Sequence, residues 1–598
     1  MKPLSFKEFM EALQTRIDRY THGELKEIIL AQGKALPPRE RAPFLDGFAP
    51  PRIEREQTVR RKKGRNGNGD LLLQEIESFG RRVDDSEYTS GWGWDGEYGD
   101  ERAWGDDSWV AEIDDLFGRI RGIYEEGNYQ TARSAYESLL EIYGRGSDEA
   151  QFSGYDHEGM IETDINEETL RYLRCIYLTE NPSERPRAIW KALSGLSGDS
   201  RDVNIQALVN VDSEALPQFE DFGRGWLELL RNQEVDVLSA GLLIEAVSLF
   251  QGIAGLEKLA TEDGRRYPSA FMAWLEALKK ERRYDEMIRA ASRGLESLPA
   301  RLRIRARIAD HLREAAVRLK KKEFIDRSLK DALAADPCLE RLLDALDNAG
   351  NHDERKIILD ETLALIESLR PKGPGARPWP MERPPDFQEA ETSANLEIQC
   401  HLLKGDYKKA AGLLEKSKPL GWSSGAEPGA LGVPFFLVAN WNPGNKLAAN
   451  LSALWKDATD SPLLAFYDDD DDEDDDFDEI ENRPELQKSE KGNSRLRVHL
   501  ERVLKIMPIR VAEKEEFFEL AEKTAIKRIE AIVGNKRRKS YWKAAELLLA
   551  VAEVYWSHDR AAAGRALIDR MRNKFNRHSA FRNELRARAR QAGIFTIS

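Results

Sequence analysis

At 598 residues, with 41% hydrophobic and 33% charged side chains, the chain is too long for one compact core and reads as several domains or one solenoid of helices with solvated faces. Its net charge of −15 is unevenly spread, because Ser494 to the C-terminus carries 24 Lys+Arg against 12 Asp+Glu, a basic end on an acidic body. Three cysteines, Cys175, Cys338 and Cys400, far apart and odd in number, argue against a disulfide framework and for a reducing compartment, the cytoplasm.

Residues 1–48 are expected to form an N-terminal helical segment, since Phe6, Phe9, Met10, Leu13, Ile17 and Tyr20 recur at helical spacing. Met1-Lys2-Pro3-Leu4-Ser5 shows no secretion signal, and no run is read as the roughly 20 apolar residues of a membrane span. Residues 49–108 are read as a basic and Trp/Gly/Asp-rich linker. It holds Arg60-Arg61-Lys62-Lys63-Gly64-Arg65, a short helix near Leu71–Phe79 and the loop-like stretch Gly91-Trp92-Gly93-Trp94-Asp95. Its tryptophans, with Trp104 and Trp109, are expected to dock on the protein's own helices; exposed aromatic recognition is the alternative.

A helical-repeat domain is expected over 109–369. Its first hairpin runs from Leu116 to Tyr143 around the turn Glu126-Gly127-Asn128-Tyr129, and a degenerate copy lies at Arg282-Arg283-Tyr284 with Met287 and Ala291. A proline-rich crossing follows at 370–388. The repeats continue over 389–466, where Lys404-Gly405-Asp406-Tyr407 repeats the first turn. Glycine permits the tight turn, the aromatic wedges between the helices and a small residue lets them approach. Residues 467–493 form an acidic linker whose run 468–476 is too densely charged to bury a core, so disorder is expected. The basic C-terminal helical module covers 494–598, with Tyr541, Ala544, Ala545, Leu548, Ala552 and Tyr555 on one helix face. The fold class is thus all-α: irregular tetratricopeptide-like hairpins in an extended array, an acidic disordered segment, and a C-terminal module.

Several segments resemble the helical regions of bacterial proteins associated with the SWIM type of zinc finger and related cytoplasmic proteins. They are Asp106-Asp107-Ser108-Trp109-Val110 with the Gly127/Tyr129/Ala132 hairpin, Ala335-Asp336-Pro337-Cys338-Leu339-Glu340-Arg341, Leu420-Gly421-Trp422-Ser423, and the helix pair from Tyr541 to Glu584. The zinc finger's paired cysteines and Cys-x-His element are absent. The resemblance implies a helical-repeat platform without the metal.

No phosphate-binding loop, H-E-x-x-H or C-x-x-C occurs, so no catalytic, cofactor-binding or metal-ligating residue is expected. Cys400-His401 is the one Cys/His adjacency, and neighbours on a helix point about 100° apart. The leading functional expectation is a non-catalytic protein-binding scaffold or regulator, its partners one or more proteins, a protease or a transcription regulator among them, and no membrane. A second is a charge-regulated nucleic-acid binder contacting phosphates through Lys536, Arg537, Arg538, Lys539, Arg582, Arg586, Arg588 and Arg590. A third is the regulated substrate of a partner protease in a bacterial defence system. That protease would cut near the acidic linker at Asp468, Asp472, Asp476 and Phe477, where the same run is also a candidate mask for the basic module.

Overall fold

The computed structural model describes residues 67–95, 100–148, 151–154, 157–195, 203–370, 387–391, 394–422, 427–442, 444, 446–460 and 494–592. The expected helices of 1–48, the basic patch at 60–65, most of the proline-rich crossing and the whole acidic run lie outside the described residues. The chain divides into two compact units, Met1–Gln74 and Glu75–Ser598, and the helical array belongs to the second.

The fold is an all-α helical array, with one departure from expectation near its start. Helix α1 (Gly67–Asp84) leads into an antiparallel hairpin of β1 (Thr89–Asp95) and β2 (Asp100–Gly105), where the sequence suggested a linker and loop. Gly154 extends it, exchanging backbone hydrogen bonds of 3.2 and 2.7 Å with Ala103. The tryptophans divide between the two readings. Trp109 is fully buried, stacks on Phe152 at 4.3 Å and donates its indole N–H to Ser153 Oγ at 3.1 Å, whereas Trp104 stays 40% exposed.

Next come α2 (Ser108–Glu125) and α3 (Tyr129–Asp148), the first hairpin, then α4 (His157–Met160) and α5 (Ile165–Thr179). Glu168 of α5 is fully buried and ties three helices together. It accepts from Tyr136 Oη at 2.5 Å, from Arg121 Nε at 2.8 Å and from Arg171 at 2.6 Å. A buried carboxylate is tolerated only with its lone pairs filled in this way.

Helices α6 (Arg185–Ser194), α7 (Ile205–Asn210) and α8 (Phe219–Arg231) lead to the long α9 (Val237–Asp263), which a left-handed Gly252 (φ 61°) kinks. By length and composition α9 is apolar enough to cross a membrane, which corrects the sequence reading that no such run exists. Here it packs against α8 and α10 (Ser269–Lys280). Three hairpins then follow: α10 with α11 (Tyr284–Ser297), α12 (Ile304–Arg318) with α13 (Lys322–Ala335), and α14 (Leu339–Asn348) with α15 (His352–Leu369). Their first helices begin at Ser269, Ile304 and Leu339, an identical step of 35 residues, close to the ~34-residue tetratricopeptide period.

The remaining helices are α16 (Ala394–Lys404), α17 (Tyr407–Glu415), α18 (Gly429–Ala439), α19 (Ala449–Asp460), α20 (Arg495–Ile506), α21 (Val511–Gly534), α22 (Tyr541–Ser557), α23 (Ala561–Lys574) and α24 (Ser579–Ala592). The boundary expected at 494 does not divide them. One apolar cluster runs from Leu329 to Ala589 without a break there, joined by contacts such as Phe436 with Phe517 at 4.9 Å. Helix α22 is apolar on nearly every side, so it must be enclosed. It packs against α18, α19, α21, α23 and α24. Its buried Glu553 accepts from the backbone N–H groups of Asn450 (3.2 Å) and Leu451 (2.8 Å), capping α19 from across the linker.

Candidate functional site

The inner helices of successive hairpins and the unburied side of α9 form a concave groove of about 1100 Å³. Its lining includes Gly241, Ile244 and Ser248 from α9, with Ala273 and Ala277 from α10. Helix α9 turns one face to this opening, Gly241, Ile244, Glu245, Ser248 and Leu249, of which Ile244 and Leu249 are partly buried apolar side chains. Charges of both signs rim it. Lys279 Nζ pairs with Glu314 at 2.8 Å, and the half-exposed Glu276 lies 3.2 Å from His311 Nε2. Burial lowers the His311 pKa, which keeps the ring neutral. Glu245 reaches out of α9 to accept from the backbone N–H groups of Ile205 (3.2 Å) and Gln206 (2.7 Å), capping α7, and burial raises its pKa.

A second cleft, of about 550 Å³, lies between α13 and α15 on a floor of Leu329, Leu333, Ala345 and Ile358. Lys330 and Glu361 bridge it at 2.9 Å, and Ile357 stands 57% exposed beside it.

The sequence-predicted cations fall in two places. Lys536, Arg537, Arg538 and Lys539 occupy the turn from α21 into α22, with Lys536 left-handed at φ 61°. Tyr541 at the end of that turn touches the rings of His578 and Phe581 at 6.5 and 6.0 Å, bringing the turn to the start of α24. Arg582, Arg586 and Arg590 share one stripe of α24, being four residues apart. Arg588 does not join them. It lies on the opposite flank, hydrogen-bonded to the buried Glu546 and stacked 5.0 Å over Trp542, so it is an internal ion pair and not a free phosphate contact. Asp468, Asp472, Asp476 and Phe477 lie outside the described residues.

Cys400 is fully buried and His401 nearly so. Desolvation pushes the Cys400 thiol well above its ordinary range and lowers the His401 pKa. Cys175 is likewise buried, its thiol pushed up to about 12. Neither thiol is poised as a thiolate. Among the described residues no group of three or more His, Cys, Asp or Glu is placed to hold a metal ion.

One polar network escaped the sequence reading. His499 of α20, buried against the repeats, accepts on Nδ1 from Arg355 at 2.7 Å and donates from Nε2 to Asp347 at 2.8 Å. Arg495 adds bonds to Asp344 and Asp347 at 2.8 and 2.7 Å. Pairs so distant in sequence leave no spacing signal.

No family model matches the chain, and no curated protein matches it. Among solved structures it is similar to a "Circular tandem repeat protein with novel repeat topology and enhanced subunit contact surfaces", at 14% identity and a TM-score of 0.15, over 84% of this chain and 98% of that one. The helix order and the 35-residue step from Ser269 to Leu339 themselves make this an all-α helical-repeat protein.

Proposed function

We propose that this chain is a protein-binding scaffold or regulator that holds a partner segment in the groove between α9, α10 and α12. The observation that carries this reading is α9, an apolar helix that turns Gly241, Ile244, Ser248 and Leu249 to the opening. Apolar surface left open over a concave patch favours an amphipathic segment laid into it, with the mixed-charge rim setting its register.

Gly241 provides a direct test, because it is exposed, lines the groove, and a Cβ added there meets nothing within 4 Å. Peptides selected from a random displayed library on the intact protein should lose at least tenfold in affinity for Gly241→Trp. They should bind Ala334→Trp, beside the other cleft, as they bind the parent. Undiminished binding to Gly241→Trp would remove the groove from the function.

A further inference from the structure

The groove at α9 holds charges of two kinds. Its carboxylates are engaged within the chain: Glu314 by Lys279 at 2.8 Å, Glu276 beside His311 at 3.2 Å, and Glu245 by two backbone N–H groups. Three of its lining cations are not. Lys280, Arg282 and Arg318 are exposed, and their side chains make no hydrogen bond or ion pair with any described residue. Unpaired cations occur outside the groove too, at Arg293 and Arg307 of the same hairpins. What sets these three apart is that they line one cavity whose acids are taken.

The repeat brings them together. Glu276 with His311 and Lys279 with Glu314 join α10 to α12 at positions 35 residues apart, so the two helices run side by side in the same direction. The next step of that ladder, from 283 to 318, sets Arg318 beside the turn that ends α10. Arg282 closes that turn, left-handed at φ 58°, and Lys280 is the last residue of α10. The cations therefore gather where α10 and α12 end. Part of their role is to offset the partial negative charge of two helix C-termini, which leaves their outward N–H donors free. The acids of the adjoining turn are taken as well, Glu281 and Glu286 by Arg283 and Asp285 by Lys321. The α9 wall carries no cation; beside Glu245 it offers Gly241, Ile244, Ser248 and Leu249.

We propose that the groove takes an acidic amphipathic segment of a partner protein, which sets aliphatic side chains against Ile244 and Leu249 and carboxylates against Lys280, Arg282 and Arg318. This rests on the reading of the groove as a partner site and adds the charge of that partner. A guanidinium holds a carboxylate through two parallel hydrogen bonds, and the end of the groove offers two such groups and an ammonium. A basic segment would meet the same three groups as like charges. A nucleic-acid strand would leave Ile244 and Leu249 without a counterpart, whereas an acidic amphipathic segment uses both walls.

The test selects short peptides from a randomised displayed library on the intact chain, and on the same chain with acidic residues 468–476 replaced by serine. Fluorescence anisotropy of the labelled peptides then reads their affinities. Peptides that lose binding to Gly241→Trp should carry a net negative charge. Their affinity should fall about 5–30-fold for Lys280→Gln with Arg318→Gln, both exposed, and should weaken less steeply with salt in that variant than in the parent. Arg293→Gln with Arg307→Gln, which removes two unpaired cations outside the groove, should change neither. Groove-dependent peptides that are neutral or basic, or that bind the Lys280/Arg318 variant as they bind the parent, overturn the acidic partner and leave the groove reading standing. Peptides indifferent to Gly241→Trp, or no binder from either chain, remove the groove and this proposal with it. Binding about tenfold tighter to the serine-substituted chain would make the chain's own acidic run the occupant and overturn a separate partner. Displacement by mixed-sequence DNA as readily as by unlabelled acidic peptide would overturn it too.

Discussion

Tyr407 and Tyr129 open the second helix of equivalent hairpins, yet they carry different loads. Tyr407 is 7% exposed, lies 5.8 Å from the Phe435 ring and donates its hydroxyl to Met507 O at 2.6 Å. Tyr129 is partly exposed, and among the described residues its ring meets that of Tyr124, at 5.4 Å between ring centres. The repeated turn motif suggests the same wedge role for both; the structure reserves it for Tyr407. Tyr407→Ala should therefore cost about 3–4 kcal/mol, from lost aromatic packing and a carbonyl left unpaired. Tyr129→Ala should cost about 1 kcal/mol, the scale of an ordinary partly exposed substitution. Urea midpoints of the two variants check this, and equal losses would contradict it.

At the scale of the element, six helix-to-helix turns close in the same way. The residue at Gly127, Arg282, Lys320, Gly405, Lys536 or Asp559 is left-handed, with φ between 56° and 79°. Its N–H reaches back three residues and the next N–H five, as in Lys320 to Val317 O and Lys321 to Ala316 O. This closure satisfies the last helix carbonyls. Only two of these positions carry glycine; those two turns, and the one at Arg282 as a degenerate copy, are the ones legible in the sequence. Arg282, Lys320, Lys536 and Asp559 bear no letter that announces a positive φ, which is why the even 35-residue step passed for irregular spacing. Each of the four bears the left-handed penalty of an L-residue, so Lys320→Gly should stabilise the protein by about 0.5–1 kcal/mol. Gly127→Ala, where added volume meets nothing within 4 Å, should destabilise it by about 1 kcal/mol through backbone strain alone. Thermal denaturation of both variants would decide, and a common sign for the two would rule the account out.

The junction of α20 with the repeats also titrates. His499 is held neutral by burial and by the Arg355 guanidinium on its Nδ1, while Asp347 only partly offsets them, so its pKa is lowered from the ordinary value. A histidine with a depressed folded pKa contributes stability that is full above the unfolded value near 6.5 and declines as pH falls toward the folded value. The denaturation midpoint should drop between pH 7.5 and 5.5, and His499→Gln should flatten part of that drop. Identical slopes for parent and variant would show that this ring is not the titrating group.

Over the whole molecule, the acidic run is a boundary of composition but not of packing. Ser494 Oγ donates to Thr459 O, and Arg497 pairs with Asp460 at 3.4 Å, so the chain leaves and re-enters the fold at one place. The sequence suggested two folded pieces on a tether, because like charges mark a break while nothing local shows which helices enclose α22. The apolar α18, Gly429 to Ala439, was the legible hint, since a helix apolar on all sides needs cover on all sides. The groove at α9 was less legible, because it depends on helices brought together only by the stacked repeats. A protease cut between Asp460 and Ser494 should leave fragments that co-elute in native buffer and separate only in denaturant. Separation under native conditions would show that the shared core does not hold them.

Enclosure of α22 also sets an order of events during synthesis. When Asp460 has been added, Phe435 and Phe436 are already made, but α21 and α22, which cover them, are not. At roughly 5–20 residues per second, the last helices are added on the order of ten seconds later. Through that interval the nascent chain presents an unfinished apolar face, and a message truncated within the acidic codons would present it permanently. The densest negative charge of the chain, at 468–476, is translated directly after that face and before its cover, where repulsion between neighbouring copies on one polysome opposes their sticking together.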